Sequence, residues 1–128
     1  MPCPFCSPAA PQLAHNEFAL ALADGFPVSE GHTLVVPRRH VASLFDLNQD
    51  ERAAVWALVA EVREGLDMDL QPAGFNIGVN DGEAAGQTVQ HAHVHVIPRY
   101  DGDVIDPRGG VRGVIPAKAD YWSEGLGD

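Results

Sequence analysis

Positive charge is scarce in this sequence. Eight Lys and Arg, only one of them a lysine (Lys118), stand against 18 Asp and Glu, for a formal charge of −10 over 128 residues. That balance speaks against nonspecific nucleic-acid binding, which needs Lys and Arg to neutralise phosphates. A small phosphorylated ligand stays open, because a pocket can be locally positive on an acidic protein. No run approaches the ~18 uninterrupted apolar residues of a membrane span. The opening Met-Pro-Cys-Pro-Phe-Cys lacks the basic start and apolar core of a signal peptide. A cytoplasmic, unprocessed chain with no membrane partner is expected. There are only two cysteines, and a disulfide between them is not expected in that compartment.

Apolar residues make up 45% of the chain, ordinary for a globule, and a chain of this length buries roughly two-thirds of its unfolded surface. The reading is a single domain over 1–128, with a core over 1–100 and an extended tail over 101–128. Three of six histidines fall within five residues, in Gln90-His91-Ala92-His93-Val94-His95-Val96. Strict alternation with β-branched valines predicts a strand, which puts 91, 93 and 95 on one face and Ala92, Val94 and Val96 on the other. A row of imidazoles fills a core poorly and builds a site well. The alternative is three unconnected histidines on an edge strand.

Around the triplet, Glu17–Leu22 and Gly31–Pro37 read as strands, with Asp24-Gly25-Phe26-Pro27 as a turn between them. Asn48, or Asp46 one turn earlier, is the expected N-cap of a helix reaching about Asp69 and closed by Pro72. Its apolar stripe is Ala53, Val55, Trp56, Val59, Ala60 and Val62, extended by Leu66 and Leu70. Gly74–Val79 is a third strand, and a glycine-rich loop from Asn80 to Gly86 leads into the triplet. The tail carries one strand-like piece around Val111–Ile115. Strands joined by loops with one long helix favour an α+β class.

As a metal site the triplet is awkward. Histidines at i, i+2 and i+4 stand ~7 Å apart per step, whereas zinc brings adjacent nitrogen ligands within ~3.5 Å. Two can converge on one ion; three from a straight strand cannot easily do so. As a phosphoryl site it is well suited: a neutral imidazole attacks phosphorus directly, and its neighbours offset charge on the oxygens. Gly74, Gly82 and Gly86 allow close backbone approach, and Thr88 adds a hydroxyl. Cys3 and Cys6 form a C-x-x-C pair open to three readings: half a zinc site, a redox pair or a structural accident. Zinc would need two more ligands, from His15, His40 or a triplet member.

The stretch from Asp81 through Gly86-Gln87-Thr88-Val89 and the triplet to Pro98-Arg99 resembles the signature of the histidine triad (HIT) family of nucleotide hydrolases and transferases. Asp24, Pro27 and Gly31-His32 through Arg39-His40 resemble the family's other characteristic stretch. The similarity is nearest to the bacterial dinucleoside polyphosphate hydrolase and fragile-histidine-triad branch, which shares Gly-Gln-Thr-Val before the triad and Pro-Arg after it. The resemblance implies a HIT-like α+β fold: an antiparallel sheet with one long helix and shorter helical pieces, usually as a homodimer.

It implies His93 as nucleophile, forming a nucleotidyl-imidazole, with His95 and His32 on the α-phosphate oxygens. Backbone groups near Gln87 to Val89, with the Thr88 side chain, would contact phosphate or leaving group, Asn80 would stand near the phosphate, Asp24 would bind the ribose, and Phe5 would line the base pocket. Without the resemblance Asp24 reads as a turn residue. The resemblance further implies a structural zinc held by Cys3, Cys6, His40 and His91, no organic cofactor, and His15 as a surface residue. The tail from Asp106 to Arg112 resembles that of bacterial members; either Arg108 or Arg112 reaches the distal phosphates, within the chain or across a dimer interface, or the tail simply packs on the domain. The expected activity is cleavage of a nucleotidyl phosphoanhydride, such as a dinucleoside polyphosphate. The alternatives are a phosphoramidase or nucleotidyltransferase of the same family, a nucleotide-binding regulatory module, and a metalloenzyme using the triplet as ligands.

Overall fold

A computed structural model describes residues 3–8 and 11–124; the last four positions of the expected tail lie outside the described residues. The strands are β1 Gln12–His15, β2 Ala19–Ala23, β3 Thr33–Pro37, β4 Gly74–Val79 and β5 Val94–Arg99. They form one sheet in the order β1-β2-β3-β5-β4, and every neighbouring pair is antiparallel. The long helix α1 is Gln49–Leu70, and a short helix α2, Pro116–Ala119, lies in the tail. No described helix is long and apolar enough to cross a membrane.

The two faces of the sheet do different work. Register aligns Ala21 with Val35 and Val35 with Val94. These residues pack on α1 through Val55, Leu58 and Val59, each fully buried aliphatic contributing about 1.5–3 kcal/mol. The other face carries Leu20, Leu22, Leu34 and Val36, with Phe5 packed over them. On that face Leu34 pairs with His95, and His95 pairs in turn with Gly78. Because β3 is central and covered on both sides, all five of its residues are buried. A strand in that position reads as a continuous apolar run rather than an alternation.

The helix starts where the sequence predicts. The Asn48 side chain accepts from Glu51 N–H at 2.8 Å and Glu51 Oε1 accepts from Asn48 N–H at 3.0 Å, a reciprocal capping box. The chain leaves α1 through Gln71 in the left-handed region (φ 48°), one residue before Pro72. The phase of the apolar stripe differs from expectation: Leu58 is buried, while Trp56 is 46% exposed and Ala53 and Ala60 face solvent.

Three other expectations are corrected. β2 begins at Ala19 and β3 at Thr33, and a first strand, β1, precedes them. The triplet strand begins at Val94, so His91 and His93 lie in the approach to β5 and not in its ladder. Ala92 N–H donates to Val41 O at 2.7 Å, which turns the approach toward the β3–α1 connection. The strand-like piece of the tail is instead a 3₁₀ turn over Gly110–Val114. Gly109 and Gly110 precede and open it at φ 90° and 49°, a geometry that breaks an extended run and that only glycine adopts freely.

Candidate active site and metal centre

A cavity of about 460 Å³ opens on the face carrying Leu22 and Leu34, with Phe5, Asp24, Asn80, Thr88, Val89, His93 and His95 in its walls. The hydrogen bonds around its imidazoles fix where each proton sits. His93 Nδ1 lies 2.8 Å from the His91 carbonyl. A carbonyl only accepts, so Nδ1 carries the proton and Nε2 keeps its lone pair. Val28 N–H donates to His32 Nδ1 at 3.1 Å, so the proton of neutral His32 is on Nε2. That Nε2–H donates to His95 Nδ1 at 2.9 Å, leaving His95 with its proton on Nε2. Burial lowers the pKa of His32, against the pull of Asp24. Burial, then the neighbouring His93 and His32, lower that of His95. The arrangement holds a ring nitrogen with a free lone pair beside a neutral imidazole donor, a pair able to act on phosphorus.

Asp24, His32 and His95 also bring three ligand-type atoms together, but the tautomers argue against a cation there. A metal on His32 Nε2 would force the proton onto Nδ1, against the Val28 N–H. Asp24 serves two contacts instead. Oδ1 accepts from Phe26 N–H at 2.8 Å, which is the turn role, and Oδ2 lies 3.3 Å from His32 Nε2. Its carboxylate still lines the cavity.

Gln87 is brought to the loop but kept out of the cavity. Its buried side chain donates to Ala42 O at 2.7 Å and Val89 O at 3.0 Å, and accepts from Gly82 N–H at 2.9 Å. It clamps the loop that carries Thr88 and Val89, and both of its N–H donors are spent there. Arg108 and Arg112 do not reach the cavity either. Arg108 pairs with Asp106 at 2.9 Å and stacks on Trp122, while Arg112 stacks on Tyr121 and donates to the carbonyls of Lys118 and Ala119. Sequence reasoning missed Phe26, which is 91% exposed at the rim of the cavity. An aromatic inside a Gly-Phe-Pro turn was the available signal. It also missed the Val28 N–H, a backbone contact with no residue-type signature.

The second centre is built from both ends of the sequence. The Cys3 and Cys6 sulfurs and the Nδ1 atoms of His40 and His91 all lie within 4.8 Å of one another. The edges are Cys3–His91 3.3 Å, Cys6–His91 3.6 Å, Cys6–His40 3.2 Å and His40–His91 3.2 Å. A tetrahedral zinc with Zn–N near 2.05 Å and Zn–S near 2.3 Å has N···N edges of about 3.3 Å and N···S edges of about 3.5 Å, so the four donors fit. His91 is fully buried and gives its Nε2–H to Pro37 O at 2.7 Å, which aims Nδ1 at the cluster. Burial and the adjacent Cys3 thiol push the Cys6 thiol up; a bound cation reverses that preference. His15 stays outside, exposed beside Arg38.

The HIT domain model matches residues 10–102. A HIT-like protein of Mycoplasma genitalium is 41% identical over 90 residues, covering 70% of this chain and 64% of the relative. The asymmetrical bis(5'-nucleosyl)-tetraphosphatase of Schizosaccharomyces pombe is 42% identical over 77 residues, covering 60% of this chain and 42% of that protein. This chain therefore spans less than two-thirds of the length of either curated relative. Among solved structures, a Zn-bound histidine triad family protein from Mycobacterium smegmatis superposes with a TM-score of 0.72 at 37% identity, covering 81% of this chain and 79% of that one.

Proposed function

The chain belongs to the HIT family, and from that premise we propose that it is a nucleotide hydrolase in which His93 attacks the α-phosphorus of a nucleotide conjugate. The observation that carries this reading is the proton arrangement at the triad. His93 Nδ1–H is committed to the His91 carbonyl, which leaves Nε2 as the only free lone pair of that ring. In the first step the His93 Nε2–phosphorus bond forms as the bond to the leaving group breaks, and the leaving group departs with that electron pair. The His91 carbonyl holds the positive charge that develops on the ring. The His95 Nε2–H, kept there by His32, meets a phosphoryl oxygen. Water then attacks phosphorus, returns the electron pair to Nε2 and releases the nucleoside monophosphate and a proton. Asp24 and Phe5 would hold the nucleoside, and Asn80, Thr88 and Val89 the phosphate.

His93→Ala is expected to abolish turnover while nucleotide binding persists. Mass spectrometry of a rapidly quenched reaction should find a nucleotidyl adduct on the peptide bearing His93. Full activity in that variant would refute the mechanism. A phosphoanhydride, as in a dinucleoside polyphosphate, is one scissile bond that fits. One observation favours a phosphoramidate as a second reading: among the described residues no Lys or Arg lines the cavity, so a polyphosphate chain lacks cations to meet it. Transfer to a phosphate acceptor shares the first step and differs only in what attacks second.

The four donors support a structural zinc at Cys3, Cys6, His40 and His91. There it would supply cross-linking rather than reaction chemistry, fixing the segment that carries Phe5 5.0 Å from the His93 ring. A homodimer in the cytoplasm belongs to the same reading, and sedimentation at micromolar concentration measures the assembly.

A further inference from the structure

The turn between β2 and β3 is latched from outside the cavity. Its tip has little packing of its own, with Phe26 91% and Val28 72% exposed, so hydrogen bonds fix its position. The β3–β5 ladder ends with Thr33 opposite Val96, while β5 runs on to Arg99. Beyond that end the Ser29 hydroxyl donates to Pro98 O at 2.7 Å. The Tyr100 hydroxyl donates the other way, to Glu30 O at 2.8 Å, and His32 N–H closes the turn onto Ser29 O at 3.2 Å. Neither Ser29 nor Tyr100 lines the cavity that holds His93.

What these bonds place is the Val28 N–H, 3.1 Å from His32 Nδ1. From it three donations run in one direction: Val28 N–H to His32 Nδ1, His32 Nε2–H to His95 Nδ1 at 2.9 Å, and His95 Nε2–H outward. Each ring is polarised by the donor behind it. The chain also has a reversed state. Without the Val28 N–H, the His32 proton can occupy Nδ1, and Nε2 then accepts from His95 Nδ1–H. His95 would in that state turn a lone pair on the phosphoryl oxygen it should stabilise. Burial lowers the pKa of both rings, so neither avoids the choice by taking a second proton. Asp24 Oδ2, 3.3 Å from His32 Nε2, opposes the reversal from the Nε2 side alone.

We propose that Ser29 is a positioning residue for nucleotidyl transfer, with Tyr100 in support: their hydroxyls latch the β2–β3 turn to β5 and so hold the Val28 N–H where it gives the histidine chain its direction. This rests on the nucleotidyl-transfer reading above and deepens it. The chemical step is unchanged: the His93 Nε2–phosphorus bond forms as the leaving group departs with its electron pair. Ser29 touches none of the reacting atoms. It acts through the strength with which His95 Nε2–H meets the phosphoryl oxygen in the transition state.

The test uses the full chain, supplied with zinc and with its histidines labelled for nitrogen NMR. An imidazole nitrogen that carries a proton and one that keeps its lone pair resonate apart, so the direction of the chain is read without substrate. In the native protein His32 and His95 should each show a protonated Nε2 and a bare Nδ1. Ser29→Ala draws the two nitrogens of each ring toward a common value, and Ser29→Thr, which keeps the hydroxyl, restores the separation. In rapid-quench reactions with adenosine 5′-phosphoramidate, adduct formation slows about fivefold in Ser29→Ala, the worth of one net hydrogen bond, with KM unchanged. Tyr100→Phe moves both readouts the same way to a smaller extent, and it decides the matter if Ser29→Ala does not fold. Native resonances in the variants overturn this inference, whatever the rate. A raised KM with an unchanged adduct rate also overturns it, by making the turn a substrate contact. No adduct in the native protein, with the resonances moving as expected, overturns the nucleotidyl-transfer reading and leaves the latch on the histidine chain standing.

Discussion

Replacing Gln87 by alanine separates a substrate contact from a loop clamp, because the two roles move different observables. The side chain makes three hydrogen bonds, to Ala42 O, Val89 O and Gly82 N–H, and is 5% exposed. Each such bond contributes about 1 kcal/mol net. Gly82 and Ala42 are exposed and regain water once freed, so the expected loss is about 2 kcal/mol rather than three. For a chain of 128 residues the unfolding entropy is about 0.27 kcal/mol per kelvin, which converts that loss to a fall in Tm of roughly 7 °C. Gln87→Glu is nearly isosteric but turns two donations into a carboxylate facing two carbonyl oxygens. It should fall at least as far, which removes packing as the explanation. Differential scanning calorimetry reads both variants, and steady-state kinetics on an adenosine phosphoramidate follows alongside. A Tm within a degree of the native value, with a raised KM, would mean that Gln87 touches the substrate and the clamp argument is wrong.

Two other perturbations are tied to the metal centre and to the helix cap. Cys3→Ser removes one of four donors, so metal measured by atomic emission should fall from about one per chain to well below one. Activity should fall with it, because the segment over His93 is released; unchanged metal content would refute the ligand set. Glu51 is held at about 2 by the Arg39 guanidinium first and the Asn48 N–H second, below the 4.5 of its unfolded form. A depressed carboxyl contributes stability above its unfolded pKa and loses it as pH falls through the folded one. The native protein should therefore lose its advantage over Glu51→Gln between pH 4.5 and about 2; a difference in Tm that stays constant across that window would show that the ion pair carries no linkage.

How far the sequence could be read depended on whether local chemistry decides the local structure. Asn48 with Glu51 three residues later is a self-contained cap, and both the start of α1 and its end near Pro72 were legible. Gly74–Val79 was legible to the residue, as an apolar run bounded by proline and asparagine. The phase of α1 was not, because apolar residues occupy two faces and only packing against β3 and β5 selects Leu58 over Trp56. β1 was missed because Gln12–His15 is mostly exposed and shows no alternation. The triplet's own alternation ran three residues too far: periodicity tells which side a residue faces, while a ladder partner decides whether it belongs to the strand. Asp24, Thr88, Val89 and Asn80 were read to the cavity. What the Gln87 side chain does was not legible, since a polar residue beside a glycine loop looks alike whether it faces a ligand or holds the loop.

His91 explains why three adjacent histidines do three kinds of work. Its ring spends Nε2–H on Pro37 O and turns Nδ1 to the cysteines and His40, while its carbonyl receives the His93 proton. One residue thus orients both a metal-ligand set and the nucleophile, through opposite ends of itself. The consequence is directional. A change in the His91 ring disturbs the cluster, and through the backbone it shifts the carbonyl that keeps His93 Nε2 bare. A change in the His93 ring leaves the carbonyl, and hence the cluster, in place. Substitution at position 91 should therefore cost metal, stability and turnover together, whereas substitution at position 93 should cost turnover alone. That asymmetry follows from leaving the ladder at Val94, because a residue fully paired in β5 would have had its carbonyl committed to a neighbouring strand.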